Sequence, residues 1–213
     1  MKRISDLGEA GVEAALFGDG LPLQVGPVRS LIRAPMRNLV PEITKVYASY
    51  PYDQDGFVHH SISLDYASFI RRFIRPKVVT YSEYPAPFLP VEKRLSFLAM
   101  EMAMNWQMGM VRNRFLTFHA SSVADEQGRS IIMPGASGSG KSTLAAGLGL
   151  FGWRFLSDEF VLIDMTKGEH FPYPRPISIK NEAIASIKNQ ADELVFSPIY
   201  RNTFKGCLLY TSP

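Results

Sequence analysis

Eight consecutive residues, Gly135-Ala136-Ser137-Gly138-Ser139-Gly140-Lys141-Ser142, spell G-x-x-x-x-G-K-[ST], and Thr143 adds a further hydroxyl. Glycines at 135, 138 and 140 remove the Cβ atoms that would keep successive backbone N–H groups from turning inward around a diphosphate. Lys141 offers a mobile cation to β- and γ-phosphates, and Ser142 offers a hydroxyl to Mg²⁺. At ordinary glycine usage, these fixed positions arise by accident in roughly one chain of this length in a hundred. The bland alternative is a flexible Gly/Ser linker. The flanks argue for a site instead: Ser130–Met133 reads as a short buried strand, and Lys141–Leu150 reads as the start of a helix whose positive end meets the anion.

Phosphoryl transfer also needs a carboxylate, to hold Mg²⁺ or to take the proton of an acceptor hydroxyl. Asp158 and Glu159 close a strand-like run, Gly152–Ser157, and strand ends are where open α/β sheets place ligand groups. A turn-capping role is the alternative for either acid. His119 stands in an apolar stretch, Phe115–Ser121, where a lone histidine is ordinarily a satisfied core residue. Arg175 and Lys180 are cations that could close over a γ-phosphate or simply face water. His59 and His60 lack partners at metal-ligand spacing, and a single cysteine, Cys207, gives zinc little support.

These groups must be positioned by a core, and 213 residues at 46% hydrophobic composition can bury one. Residues 1–20 are small and polar with little pattern, and read as a frayed or weakly helical lead. Leu21–Arg33 alternates as a strand broken at Gly26-Pro27, and Asn38–Tyr50 has helical spacing ended by Pro51. Gly56–Tyr66 and Lys77–Tyr84 read as strands. Val91–Asn113 is the longest helical pattern, and its methionines suit core packing better than a plastic groove. Phe115–Val123 and Arg129–Met133 suggest a hairpin around Asp125–Gly128 that delivers the chain to the glycine loop. Beyond it, Phe160–Asp164 reads as extended, Lys167-Gly168 as a turn, His170–Lys180 as an irregular loop leading to a strand, and Asn181–Asn189 as a helix.

A net charge of +3 is too small to argue for nucleic acid, although Arg71-Arg72-Phe73-Ile74-Arg75-Pro76-Lys77 forms a local basic cluster. The cluster reads as a solvated rim, with contact to an anionic partner as the alternative. Leu95–Val111 is too short and too polar to span a bilayer, and Asp6, Glu9 and Glu13 interrupt any signal core. The expectation is a cytoplasmic protein without nucleic-acid or membrane partners.

His119-Ala120-Ser121-Ser122-Val123, the glycine loop, Phe155-Leu156-Ser157-Asp158-Glu159 and Pro174-Arg175-Pro176-Ile177-Ser178-Ile179-Lys180-Asn181 occur in that order. Together they resemble the HPr kinase/phosphorylase superfamily, and within it the HPr kinase-related kinase A branch, over about Leu21 to Gly206. The resemblance implies an α/β fold: a P-loop nucleotide-binding core of the HPr kinase/PEP carboxykinase type with a smaller N-terminal α+β region. It divides the chain into a lead (1–20), the N-terminal region (21–90), a kinase-like core cut short at its C-terminus (91–206) and a tail (207–213) that resembles translated vector sequence. It also implies ATP and Mg²⁺ as cofactors. Asp158 would be the base, with His119 beside it near the phosphates, Glu159 in place of a second aspartate, and Arg175 as a phosphate contact; Ser142 and Asp158 would hold the metal. The glycine-rich segment through which HPr kinases meet their protein substrate is not found, so the acceptor is left as a protein serine or a small molecule. A homo-oligomer follows by the same analogy. The alternative is a nucleotide-dependent regulatory module that transfers nothing.

Overall fold

The computed structural model describes residues 2–85, 87–110, 115–180, 187, 195–196 and 207–211. They form a mixed α/β protein of several small sheets and four α-helices, divided into two compact units. The first unit takes residues 1–24 and 28–112, and the second takes 25–27 and 113–213.

In the first unit, β1 (Lys2–Arg3) leads into α1 (Ile4–Phe17), followed by β2 (Leu21–Val25), β3 (Val28–Arg33), α2 (Leu39–Val46), β4 (Pro51–Tyr52), β5 (His60–Tyr66), β6 (Lys77–Ser82), β7 (Val91–Glu92) and α3 (Ser96–Met110). The sheet order is β2-β3-β5-β6-β7, with β3 parallel to β5 and the β5–β6 and β6–β7 pairs antiparallel. Phe97, Met100, Met104 and Met108 of α3 are fully buried, and the helix packs on β5 and β6. That packing answers the question raised by the methionines: Met100, Met104 and Met108 fill core, while Met102 is exposed. It also draws α3 into the first unit, so the contacts divide the chain at 112/113 where the sequence suggested 90/91.

The lead is more ordered than its composition suggested. Residues 4–17 are helical, interrupted at Gly8, and Ile4, Val12 and Leu16 are buried. Small residues between these three anchors weaken the periodic signal without weakening the packing, which is against α2 and β3.

The second unit contains β8 (Phe115–Phe118), β9 (Ala120–Ala124), β10 (Ser130–Pro134), α4 (Lys141–Leu150), β11 (Arg154–Ser157), β12 (Val161–Asp164), β13 (His170–Phe171), β14 (Ile177–Lys180), β15 (Val195–Phe196) and β16 (Cys207–Thr211). Three sheets result, with orders β10-β9-β11, β13-β12-β8 and β14-β16-β15. The stretch expected to be one strand, Phe115–Val123, divides at His119: β8 pairs with β12, whereas β9 pairs with β10 and β11. The expected hairpin forms between β9 and β10, closed by backbone bonds between Asp125 and Arg129 and between Gly128 and Asp125. β10 was expected to be buried, yet Ile131 and Ile132 are exposed. The reason is position: β10 is the edge of its sheet, with β9 on one side only among the described residues. The helix expected over Asn181–Asn189 lies outside the described residues apart from Ile187. That residue is buried in a cluster with Ala146, Ile177 and Ile179, which Leu150 and Phe155 border. This cluster seats α4 against β14 and β11.

Candidate functional site

The register of β9 decides what meets at the end of its sheet. β9 is antiparallel to both neighbours, so β10 and β11 run in the same direction. Pro134 at the end of β10 faces Ala120, and Ser157 at the end of β11 faces Ser122. The chain leaving β10, the chain leaving β11 and the residue entering β9 therefore share one edge. Those segments are the glycine loop, Asp158-Glu159 and His119.

They line one cavity of about 190 Å³. His119, Lys141, Ser142, Asp158 and Glu159 contribute to its wall, as do Ser137, Gly138, Gly140 and Thr143 of the loop and helix start. The volume lies below the roughly 300–1,000 Å³ of pockets that enclose drug-sized ligands. It suits phosphate groups better than a whole nucleotide.

The loop passes directly into the helix. Gly140 precedes α4 at φ 89°, a left-handed conformation that glycine takes without Cβ strain, and the helix begins at once, with Leu144 N–H donating to Gly140 O at 2.8 Å. Ser139 N–H closes a turn onto Ala136 O at 3.2 Å. Lys141 Nζ curls over the loop and donates to Gly135 O at 2.8 Å and to Ala136 O at 3.0 Å. Two carbonyls thus hold the ammonium over the loop.

Asp158 is buried at 5% exposure, and its Oδ1 accepts two hydroxyl donors: Ser121 at 2.5 Å and Ser142 at 3.0 Å. Oδ2 makes no hydrogen bond among the described residues. Glu159 follows at φ 74°, a conformation uncommon for a residue with a side chain. The strained step turns the chain from β11 toward β12 while both acids keep a place in the cavity wall.

On the same two strands, Ser122 and Ser157 pair through their hydroxyls at 2.6 Å, and Ser122 Oγ lies 3.3 Å from His170 Nε2. Side chains alternate along a strand, so this chain takes the face opposite the Ser121–Asp158 bond and ties β9 to β11 from behind. Burial pushes the imidazolium of His170 below its usual range.

Arg175 is not among the residues lining the cavity; it is buried at 4% exposure, and its backbone N–H donates to Tyr173 O. Ser178 takes a place in the wall instead, between the buried Ile177 and Ile179. Ser121 and Ser178 were the residues missed. Strand alternation carried the signal for both, because each is a hydroxyl flanked by residues that point the other way. His59 and His60 belong to the first unit, where Ser30 Oγ and His60 Nε2 form a buried 2.8 Å hydrogen bond.

Among the described residues, no group of three or more His, Cys, Asp or Glu could hold a metal ion. Ser142 and Asp158 supply hard oxygen donors in contact with one another, which fits Mg²⁺, an ion that binds few protein ligands and completes its shell with water and phosphate. Compared with family models, curated proteins and solved structures, the chain matches none. No helix of the described residues is long and apolar enough to cross a membrane.

Proposed function

We propose that the second unit binds ATP with Mg²⁺ and transfers the γ-phosphate to a hydroxyl, on a protein serine or a small molecule, in the manner of the HPr kinase-related proteins its motifs resemble. The observation that carries this reading is the convergence of a glycine loop, Lys141, Ser142, His119 and Asp158 on one cavity. The loop amides and the N-terminus of α4 receive the phosphate oxygens, and Lys141 exchanges its two carbonyl partners for the β- and γ-phosphates. Ser142 and Asp158 would hold Mg²⁺, which when bound neutralises phosphate charge. Asp158 takes the acceptor's proton as the new O–P bond forms and the bond from the γ-phosphorus to the bridging oxygen of ADP breaks. The two hydroxyls on Oδ1 fix the carboxylate and leave Oδ2 for that proton. His119 and Glu159 stand in the wall within reach of the same phosphates.

One observation favours a second reading, a nucleotide-dependent regulatory module. A buried carboxylate that already accepts from Ser142 also suits metal positioning without proton transfer. Transfer of label from γ-labelled ATP, in a cell extract, with wild type and Asp158→Asn separates the two. The kinase reading expects label on one protein or metabolite with wild type, none with the variant, and ATP binding by both. ATP binding without any Asp158-dependent label would reject it.

A further inference from the structure

The exposed turn between β5 and β6 has no part in the phosphate cavity, which belongs to the other unit. Its sequence is Phe69-Ile70-Arg71-Arg72-Phe73-Ile74-Arg75, closed at its base by Ala67 N–H donating to Lys77 O at 2.9 Å. Phe69, Ile70, Phe73 and Ile74 are 80%, 65%, 67% and 63% exposed. Single exposed apolar residues need no explanation, but four bulky ones on one turn form a patch. The turn is internally built: Phe73 N–H and Ile74 N–H donate to Ile70 O, Arg71 N–H donates to Ser68 Oγ, and the rings of Phe69 and Phe73 meet edge to face at 5.5 Å.

Cations surround the apolar tip. Arg71, Arg72, Arg75 and Lys77 make no salt bridge among the described residues. Arg72 and Lys93 approach the ring of Tyr66 at 5.6 and 5.7 Å, which gathers positive charge at the base of the turn. The nearby acids are engaged elsewhere: Glu92 pairs with Arg94, and Asp65 accepts from Tyr66 N–H.

We propose that this turn docks on an anionic lipid bilayer, with Phe69, Ile70, Phe73 and Ile74 entering the headgroup–acyl boundary and Arg71, Arg72, Arg75 and Lys77 meeting lipid phosphates. Charge selects an anionic partner, and the side chains select a bilayer. Nucleic acid would be met by stacking rings, whereas half of this tip is isoleucine, which has no planar face for a base. A second copy of the chain would bring the same arginines against one another across a two-fold axis. The reading of the cluster as a solvated rim leaves the four apolar side chains unexplained. Docking of this kind needs no membrane-spanning helix.

The test is flotation of the full chain with phosphatidylcholine vesicles and with vesicles that also contain phosphatidylserine. The expected result is binding to the mixed vesicles alone, weakening as salt is added, with each cation contributing about fivefold. Phe73→Ser combined with Ile74→Ser should reduce binding at least about tenfold at unchanged charge. Arg71→Gln combined with Arg75→Gln should reduce it in a way that low salt does not restore. All four positions are on the surface, and unchanged thermal unfolding would establish that the variants fold. Failure to bind mixed vesicles, equal binding to both kinds, or wild-type binding by the Phe73/Ile74 variant would overturn the proposal. So would capture of a single-stranded oligonucleotide in place of vesicles, or concentration-dependent dimerisation abolished by the same substitutions. None of these outcomes depends on whether the second unit transfers phosphate.

Discussion

Asp158 is held by two hydroxyls, of which that of Ser121 is buried, and its dependence on that one can be measured. Ser121→Ala removes the 2.5 Å donor to Oδ1 and leaves Ser142 as its remaining partner there. Loss of a hydrogen bond to a charged group costs about 1.5–3 kcal/mol, so the urea midpoint should fall accordingly. On the proposed reading, phosphate transfer should fall more steeply than ATP binding, because the carboxylate is misplaced while the loop is untouched. His170 gives a separate signature in pH. Its burial favours the neutral ring below the ordinary value of 6.5, so on acidification the unfolded chain takes up a proton that the folded chain resists. Stability is therefore complete well above that value and declines as pH falls through it, until the folded value is passed. Urea midpoints measured over that range should show the slope, and His170→Asn should flatten it. The carboxylates held low act in a different window, below their ordinary 3.8. They include Asp53, through the Asp55 backbone N–H and then Arg29, and Asp164, through the N–H groups of Lys167 and Thr166. Their contribution does not obscure that of the histidine.

At the scale of elements, two glycines with positive φ separate strain from collision. Gly140 starts α4 at φ 89°, and a Cβ there would meet nothing within 4 Å. Gly140→Ala should therefore cost about 1–2 kcal/mol of backbone strain and no more. Gly26, at φ 51°, would place its Cβ 1.9 Å from the carbonyl oxygen of Pro172, which is backbone and cannot swing aside. Gly26→Ala should cost at least about 2 kcal/mol, and paired urea titrations would show the difference. The contrast also bears on how far the sequence could be read. Gly26-Pro27 and the strands either side were legible because turn chemistry is local. The convergence of the loop, Asp158 and His119 was legible in order along the chain but not in space, because strand pairing is a long-range choice. Nothing within Phe115–Val123 announces that pairing passes from β12 to β9's own neighbours at His119. Arg175 marks the same limit: the cation of a suggestive motif is buried and is not among the residues lining the cavity, while the less conspicuous Ser178 is. A charged residue attracts attention by type, but where its side chain lies is decided by packing.

At the scale of the whole molecule, every residue lining the cavity at the glycine loop belongs to the second unit, and each unit has a core of its own. A ligand that binds only the folded form of one unit stabilises that unit by mass action, by about 2.7 kcal/mol at a hundredfold excess over its dissociation constant. ATP with Mg²⁺ should therefore raise amide-exchange protection in the loop at 135–140, the first turn of α4, and the β9–β11 ladder. The five-stranded sheet of the first unit, which contributes nothing to the cavity, should exchange as before. Asp158→Asn should retain this protection pattern, since the cradle and Lys141 are intact, while Lys141→Ala should abolish it. A uniform rise across both units would mean that the ligand stabilises the chain as one cooperative body, and absence of any rise would remove the nucleotide from the second unit altogether. Hydrogen exchange thus tests binding independently of catalysis, in the same molecule whose first unit carries the apolar and basic turn.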